Sequence, residues 1–322
     1  MPDPVSLDPT EVILTDDSRR KFAAATPFHH ALQRRHFFLF EVLPFVGTVV
    51  AIIMLFFQPI GALELGLFFG LWYLSGFGIT LAYHRHLAHR SFKARPWLRT
   101  TLMLMAFLAT QGPPLSWAAF HRLHHGSSDE PGDPHSPNLH GTGFFNRLKG
   151  LLHAQVMWMY RHDYPGVTHF IPDLARDRLM LKLDRYYLPV ALAGIAFPAI
   201  VGALYYQTWL GAFTCFLWGA MVRLFVCDHL IWHINSVLHT FGKRRFETGD
   251  ESRNGYFMSI ITLGESFHNN HHAFPGSADF GLGWHRPDPA YWVLKVMEKL
   301  GWVWDVRVPS KQRIQQKTRS KA

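Results

Sequence analysis

Eight histidines fall into three tight groups whose spacing suits metal ligation. His121, His124 and His125 stand at i, i+3 and i+4 in Phe120-His121-Arg122-Leu123-His124-His125, positions that are neighbours on one face of a helix. The same spacing returns at His268, His271 and His272. Upstream, Tyr83-His84-Arg85-His86-Leu87-Ala88-His89 offers His84 and His89, with His86 pointing away from both. Imidazole suits iron, zinc, copper and nickel. A zinc site takes three or four protein ligands, so eight imidazoles imply two metal ions. Asn235 and His239 are i, i+4 partners further on; they add a ninth imidazole and an amide able to hold a metal-bound water.

Long apolar elements must bring these groups together. Of 322 residues 48% are hydrophobic, and they gather in runs that the histidines avoid, with none from Phe37 to Tyr83 or from Phe170 to Asp228. About twenty apolar residues cross a bilayer core. Spans are therefore expected at about 37–57, 60–83, 186–206 and 209–233. Trp97 to Phe120 is also apolar, but Arg99 and the Gly112-Pro113-Pro114 break make it a buried or interfacial helix. The fold class is an all-α integral membrane protein: two hairpins of membrane helices under a cytosolic helical cap. The connections between paired spans lack Lys and Arg while the other segments carry them, which puts both termini and every histidine group on the cytoplasmic side. The net charge of +9 thus marks cytoplasmic loops, and no nucleic-acid motif competes. Residues 1–36 read as a cytosolic tail, 37–305 as the functional domain, and 306–322 as a basic tail that is loose or adheres to anionic lipid. Cys215 and Cys227 both lie in an apolar run, which excludes a disulfide framework or thiolate metal site. His84 and His89 are about 140° apart on an α-helix, so they share a site only if the helix unwinds nearby or the site lies across its end.

A water-activating zinc serves hydrolysis, and nothing here looks like a peptide or ester site. Oxygen chemistry on an alkyl chain needs a redox metal beside an apolar channel, which spans rich in Phe, Leu and Trp can supply. The boxes HxxxxH, HxxHH and HNxHH, with the Asn235-Ser236 to His239 segment, resemble the membrane fatty-acid desaturases of the stearoyl-CoA (delta-9) type, in a bacterial-like branch. Asp129, Asp133-Pro134-His135-Ser136, Thr248 to Asn254 and Leu263-Gly264-Glu265 extend the resemblance. It implies a di-iron centre that uses dioxygen and two electrons to place a cis double bond, at delta-9, in a saturated acyl chain carried by lipid or CoA. The implied ligands are His84, His89, His121, His124, His125, His239, His268, His271 and His272, with Asn235 acting through water. Asp133, His135 and Glu265 are implied supports. The second span is where a substrate tunnel is expected, with Phe68, Trp72 and Phe77 as its walls.

Two departures stand out, the first bearing on the acyl carrier and the second on packing near the metal site. The acyl-CoA branch carries an Arg-Asp pair where this chain has Ala119-Phe120, which points toward lipid-borne acyl chains, although Arg122, Arg147 and Lys149 can attract phosphate of either carrier. Ser266-Phe267 replaces a Gly-Trp of bacterial relatives. No haem-attachment or iron–sulfur cysteine pattern is present, so a separate ferredoxin- or cytochrome-type donor with its reductase must supply electrons. The expected location is a bacterial inner membrane. Two other readings stand beside this one: a di-iron hydroxylase of lipid or alkane, and a histidine-rich metal transporter. Transporters place ligands near the bilayer midplane, whereas these histidines cluster at span ends.

Overall fold

The computed structural model describes residues 22–23, 26–160 and 162–318; the expected tail lies largely outside the described residues. Four helices are long and apolar enough to cross a membrane: α1 (Pro27–Met54), α2 (Ala62–Ala88) and, after the cap helices α3 (Pro96–Phe107), α4 (Pro114–Gly126) and α5 (Phe144–Gln155), α6 (Arg178–Tyr206) and α7 (Trp209–His239). Three further helices follow, α8 (His268–Ala273), α9 (Pro289–Lys299) and α10 (Lys311–Lys317). The helices overrun the apolar stretches at their cap ends. α1 starts at Pro27 rather than 37 because Thr26 and His29 form a capping box there. Asp177 starts α6, accepting from Leu179 and Met180 N–H. Hydropathy locates the membrane-thick part of each helix, whereas caps set its ends.

The two short turns of the hairpins lie at one end of the bundle. Buried Glu64, in the first turn of α2, accepts hydrogen bonds there from Tyr206 Oη (3.0 Å) and Thr214 Oγ1 (2.8 Å). The opposite ends of all four helices carry the cap. α3 is 12 residues, about 18 Å, too short to span; with α2, α4 and α6 it forms the main apolar core. At Gly78 a Cβ would stand 2.1 Å from Ala106 N, so the absence of a side chain is what lets the α2 and α3 backbones touch. Arg223 is fully buried within α7. It donates to Gly219 O and Ser75 Oγ, each at 3.1 Å, and to Leu108 O, tying α7 and α2 to the carbonyl end of α3. Asp228 accepts instead from Gln111 Nε2 at 2.9 Å.

Short antiparallel pairs staple the ends of the chain: β1 (Phe22–Ala23) with β3 (Tyr164–Pro165), and β2 (Lys93–Ala94) with β4 (Val303–Trp304). The C-terminal segment is not a loose tail. Ser310 N-caps α10, Ile314 packs beside Phe246 and Phe274, and Lys317 Nζ donates to Ala273 O at 2.7 Å. A polar composition hid one apolar contact and one cap.

Candidate metal centre

The last stretch of α2 answers the problem posed by His84 and His89. From Gly78 to Ala88 it is a π-helix, and His89 N–H donates to His84 O at 3.1 Å. With i→i+5 bonding and roughly 4.4 residues per turn, five residues fall within about 50° of one another. Both rings therefore face the same side. α4 presents His121, His124 and His125, α7 ends in His239, and α8 supplies His268, His271 and His272.

These nine imidazoles form two groups. His84, His89, His121, His125 and His271 make the first, and His124, His239, His268 and His272 the second; within each, the nitrogens lie within 4.8 Å of one another. Neighbouring residues on α4 and α8 divide between the groups: His125 and His271 go to the first, His124 and His272 to the second. The centre is therefore one double site. Asn235 lies half-buried on the turn before His239.

Four histidines have a carboxylate behind Nδ1. His84 donates to Glu265 Oε2 (2.5 Å), His124 to Asp133 Oδ2 (3.0 Å), His239 to Asp129 Oδ2 (2.7 Å) and His272 to Asp250 Oδ2 (2.6 Å). Such a bond fixes the tautomer and leaves Nε2 as a lone-pair donor turned inward. His239 Nε2 faces His268 Nε2 at 2.9 Å, His84 Nε2 faces His271 Nε2 at 2.9 Å, and His89 faces His121 at 2.7 Å. His124 Nε2 and His272 Nε2 are buried with no hydrogen-bond partner. His124 and His272, each with Nδ1–H held by a carboxylate, thus bury an Nε2 lone pair that nothing in the protein satisfies, so the donor set fits metal ions.

The electrostatics agree. Burial, reinforced by the neighbouring imidazoles, pushes His89, His121, His125, His268 and His271 well below their usual range. Burial likewise lowers His272 to about 4. These rings are neutral and able to ligate. Burial alone would raise the four carboxylates, but their histidine partners hold Asp129, Asp133, Asp250 and Glu265 below the ordinary range. At His124 burial opposes charge, yet Asp133, Asp129 and Asp250 outweigh it and raise the imidazole. The surrounding field favours positive charge there, which a bound cation supplies.

His135, expected as a support, lies with its ring tilted 4.4 Å from that of His124, and its backbone N–H donates to Asp133 Oδ1 at 3.1 Å. Asp129 and Asp250 receive no individual role in the sequence reading, nor does Thr80, which donates to Glu265 Oε1. Asp129 is 110 residues from His239, and no local pattern links them.

A small apolar cavity of about 30 Å³ lies between α2, α7 and residues 261–265, with Glu265, the partner of His84, in its lining. Its lining runs from Trp72 through Gly76 and Ile79 to Thr80 and Glu265, with Leu230, Ile231 and Ile234 opposite. Of the residues named as tunnel walls, Trp72 lines it, whereas Phe68 and Phe77 do not. Phe68 stacks on Trp72 at 6.5 Å beyond the lining, and Phe77 is turned onto the main core. The departure at Ala119-Phe120 also reads differently in three dimensions. Phe120 packs inward against His162, Trp158 and Tyr164, at 4.4, 5.9 and 6.2 Å between ring centroids, so it does not present an apolar surface to lipid. Arg122 is occupied as well, donating to Ala88 O, Leu87 O and Phe170 O and to Asp173.

The sequence pattern of the fatty acid desaturase family matches residues 58–307. This chain belongs to the fatty acid desaturase family. The enzyme is 44% identical to a hex-5-enoyl-[acyl-carrier protein] acetylenase of Moorena producens, over 89% of this chain and 90% of that one. It is 34% identical to an sn-1 stearoyl-lipid 9-desaturase of Anabaena variabilis, over 75% and 82%, and 35% identical to a delta-9 acyl-lipid desaturase 2 of Arabidopsis thaliana, over 74% and 72%. Membership decides for an oxidoreductase over a metal transporter, and the four apolar helices associate the enzyme with membranes.

Proposed function

We propose that this desaturase inserts a cis double bond, at delta-9, into a saturated acyl chain, using dioxygen and two electrons at a pair of iron ions. The observation that carries this reading is the double set of nine imidazoles, four of them backed by carboxylates, beside an apolar pocket that Thr80 and Glu265 help to line. When bound, two irons supply the redox capacity to activate dioxygen. The nine histidines hold them, with Asn235 retaining a water, and Asp129, Asp133, Asp250 and Glu265 fix the rings. His135 steadies Asp133. The pocket orients the chain and keeps bulk water from its methylenes. Trp72 closes one end, while Thr80 and Glu265 mark where the chain passes the centre.

Two observations support a thioester carrier within this proposal. Phe120 faces inward, so the expected preference for lipid loses its physical basis. The 44% identity to an enzyme named for an acyl-carrier-protein substrate supports a thioester carrier in this reading. The test is expression in cells lacking the enzyme, with products resolved in carrier-protein, CoA and lipid pools. A delta-9 alkene should appear first in a thioester pool. Ile231→Trp fills the pocket and should keep its metal while product falls about 100-fold, the scale of a misplaced reacting group. A hydroxylated product, or full turnover by Ile231→Trp, would sink the reading; an alkyne would place the enzyme with the acetylenase in reaction type.

The cap and both termini face the cytoplasm in this proposal. Both native cysteines are buried, so a Lys149→Cys variant gives one accessible thiol. An impermeant maleimide should label it only in inside-out vesicles. Labelling in right-side-out ones reverses the topology.

A further inference from the structure

The reaction proposed above needs electrons from outside the chain, and the surface shows where they can arrive. α10 lies on the outer side of the loop and helix that carry the third histidine group. Lys317 Nζ donates to Ala273 O, one residue beyond the ligand His272, and sits 5.3 Å from the Phe274 ring centroid. Arg245 stacks on Phe246 at 4.7 Å. Phe246, Phe274 and Leu282 form one apolar cluster with Ile314 of α10 against it, and Arg286 Nη1 donates to Leu282 O. Arg245, Arg286 and Lys317 thus border this cluster, and exposed Arg313 precedes Ile314 on α10. Arg244 and Arg253 share Glu251, whereas these four have no carboxylate partner within 4 Å among the described residues. In the same turn Trp284 is 93% exposed, and a large exposed aromatic amid basic residues is a contact feature.

A covalent and aromatic route runs inward from this patch. Phe280, four residues before Trp284, lies 4.4 Å from His271 and 5.2 Å from His84 between ring centroids. The buried Arg85 guanidinium covers its other surroundings at 4.1 Å. Four residues of chain span at most about 14 Å. From Lys317 the path is shorter still: one hydrogen bond and one residue.

We infer that the surface formed by Arg245, Trp284, Arg286, Arg313 and Lys317 is the docking site of a small acidic one-electron carrier protein, which passes electrons through Phe280 and the α8 backbone to the metal centre. This rests on the desaturase reading above. Each docking oxidises one carrier by one electron and reduces the centre by one. Two dockings, two protons and one dioxygen, with the two hydrogens leaving the acyl chain, give one double bond and two waters. Basic surfaces steer acidic partners and chiefly set association rate and salt dependence.

The experiment uses full-length enzyme in neutral-lipid nanodiscs, with a plant-type [2Fe–2S] ferredoxin and a b-type haem cytochrome as separate probes. Binding of the oxidised carrier and the rate of reduction by the reduced carrier are followed against salt. The Arg245→Glu/Arg286→Glu pair and Trp284→Ala should each weaken binding of the productive carrier about tenfold, and the charge-reversed pair should flatten the salt dependence. Metal content and single-turnover yield after dithionite reduction should stay at wild type. Arg147→Glu/Lys149→Glu, on α5, should leave carrier binding and its salt dependence unchanged. Unchanged carrier binding in the patch variants overturns the proposal, as does failure of both carriers to bind wild type. An effect seen only as lost adhesion to anionic lipid assigns the patch to the membrane instead, and also overturns it. If carrier binding shifts as expected but dithionite-reduced enzyme desaturates no acyl pool, the docking site stands and the substrate reading fails.

Discussion

Replacing His271 with alanine is expected to abolish turnover and to lower metal content at both positions of the centre. His271 Nε2 lies 2.9 Å from both His84 Nε2 and His125 Nε2, so it sits at the middle of the first group. Its neighbour His272 belongs to the second group, and a shift of the six-residue α8 moves both. Loss of a ligand should exceed the 10–100-fold that removal of a mere supporting partner costs; more than about 100-fold in affinity is expected. His124→Ala should act alike, because α4 also serves both groups. His169→Ala, on an exposed turn, should keep metal and activity. Elemental analysis of purified protein, paired with product formation, reads both outcomes. Full metal occupancy in His271→Ala would remove it from the ligand set.

Chelation makes the same argument for the whole site. Metal-free, the cap buries the Nε2 atoms of His124 and His272 with no partner, so metal binding contributes to the stability of the cap itself. Stripping metal should lower the melting temperature, and zinc should restore it without restoring desaturation. Desaturation by the zinc form would show that the reaction does not need a redox metal.

The helical histidines were legible because i, i+3 and i+4 is a local signal, and all nine imidazoles named from sequence converge. The spans were legible for a similar reason, since bilayer thickness imposes a run length. What depended on other forces was not. His84 and His89 share a site only because α2 changes to a π-helix, which no residue in Gly78–Ala88 announces. Phe120 reads as a lipid-facing residue in one dimension, whereas in space Trp158 and His162 enclose it. The basic C-terminus reads as solvated, yet Ile314 and Lys317 fix it to the cap. Asp129 and Asp250 could be found only by long-range contact, because a carboxylate in a polar loop is ordinarily just a turn residue.

Those two carboxylates yield the second large effect. Asp250 accepts from His272 Nδ1 at 2.6 Å while also accepting from Ser252 N at 3.0 Å and Thr248 Oγ1 at 2.7 Å. Asp129 accepts from His239 Nδ1 and from Glu251 N at 2.8 Å. Each therefore does two things: it orients an imidazole and it pins a loop. Asparagine removes the charge and keeps one accepting oxygen. At Asp129 that oxygen can take the place of Oδ2 and accept from both His239 Nδ1–H and Glu251 N–H. At Asp250, His272 uses Oδ2 and the loop uses Oδ1, so the amide oxygen keeps only one of the two. Alanine removes both functions. Asp250→Asn and Asp129→Asn should each cost 10–100-fold in metal affinity, with little change in fold at Asp129, and the alanine variants should cost more and also destabilise the loop. The charge matters because both carboxylates contribute to the field that favours a cation beside His124. Competition against a chelator of known affinity, on each purified variant, gives the comparison. Affinity within about twofold of wild type in both asparagine variants would show that the carboxylates serve the loops and not the metal.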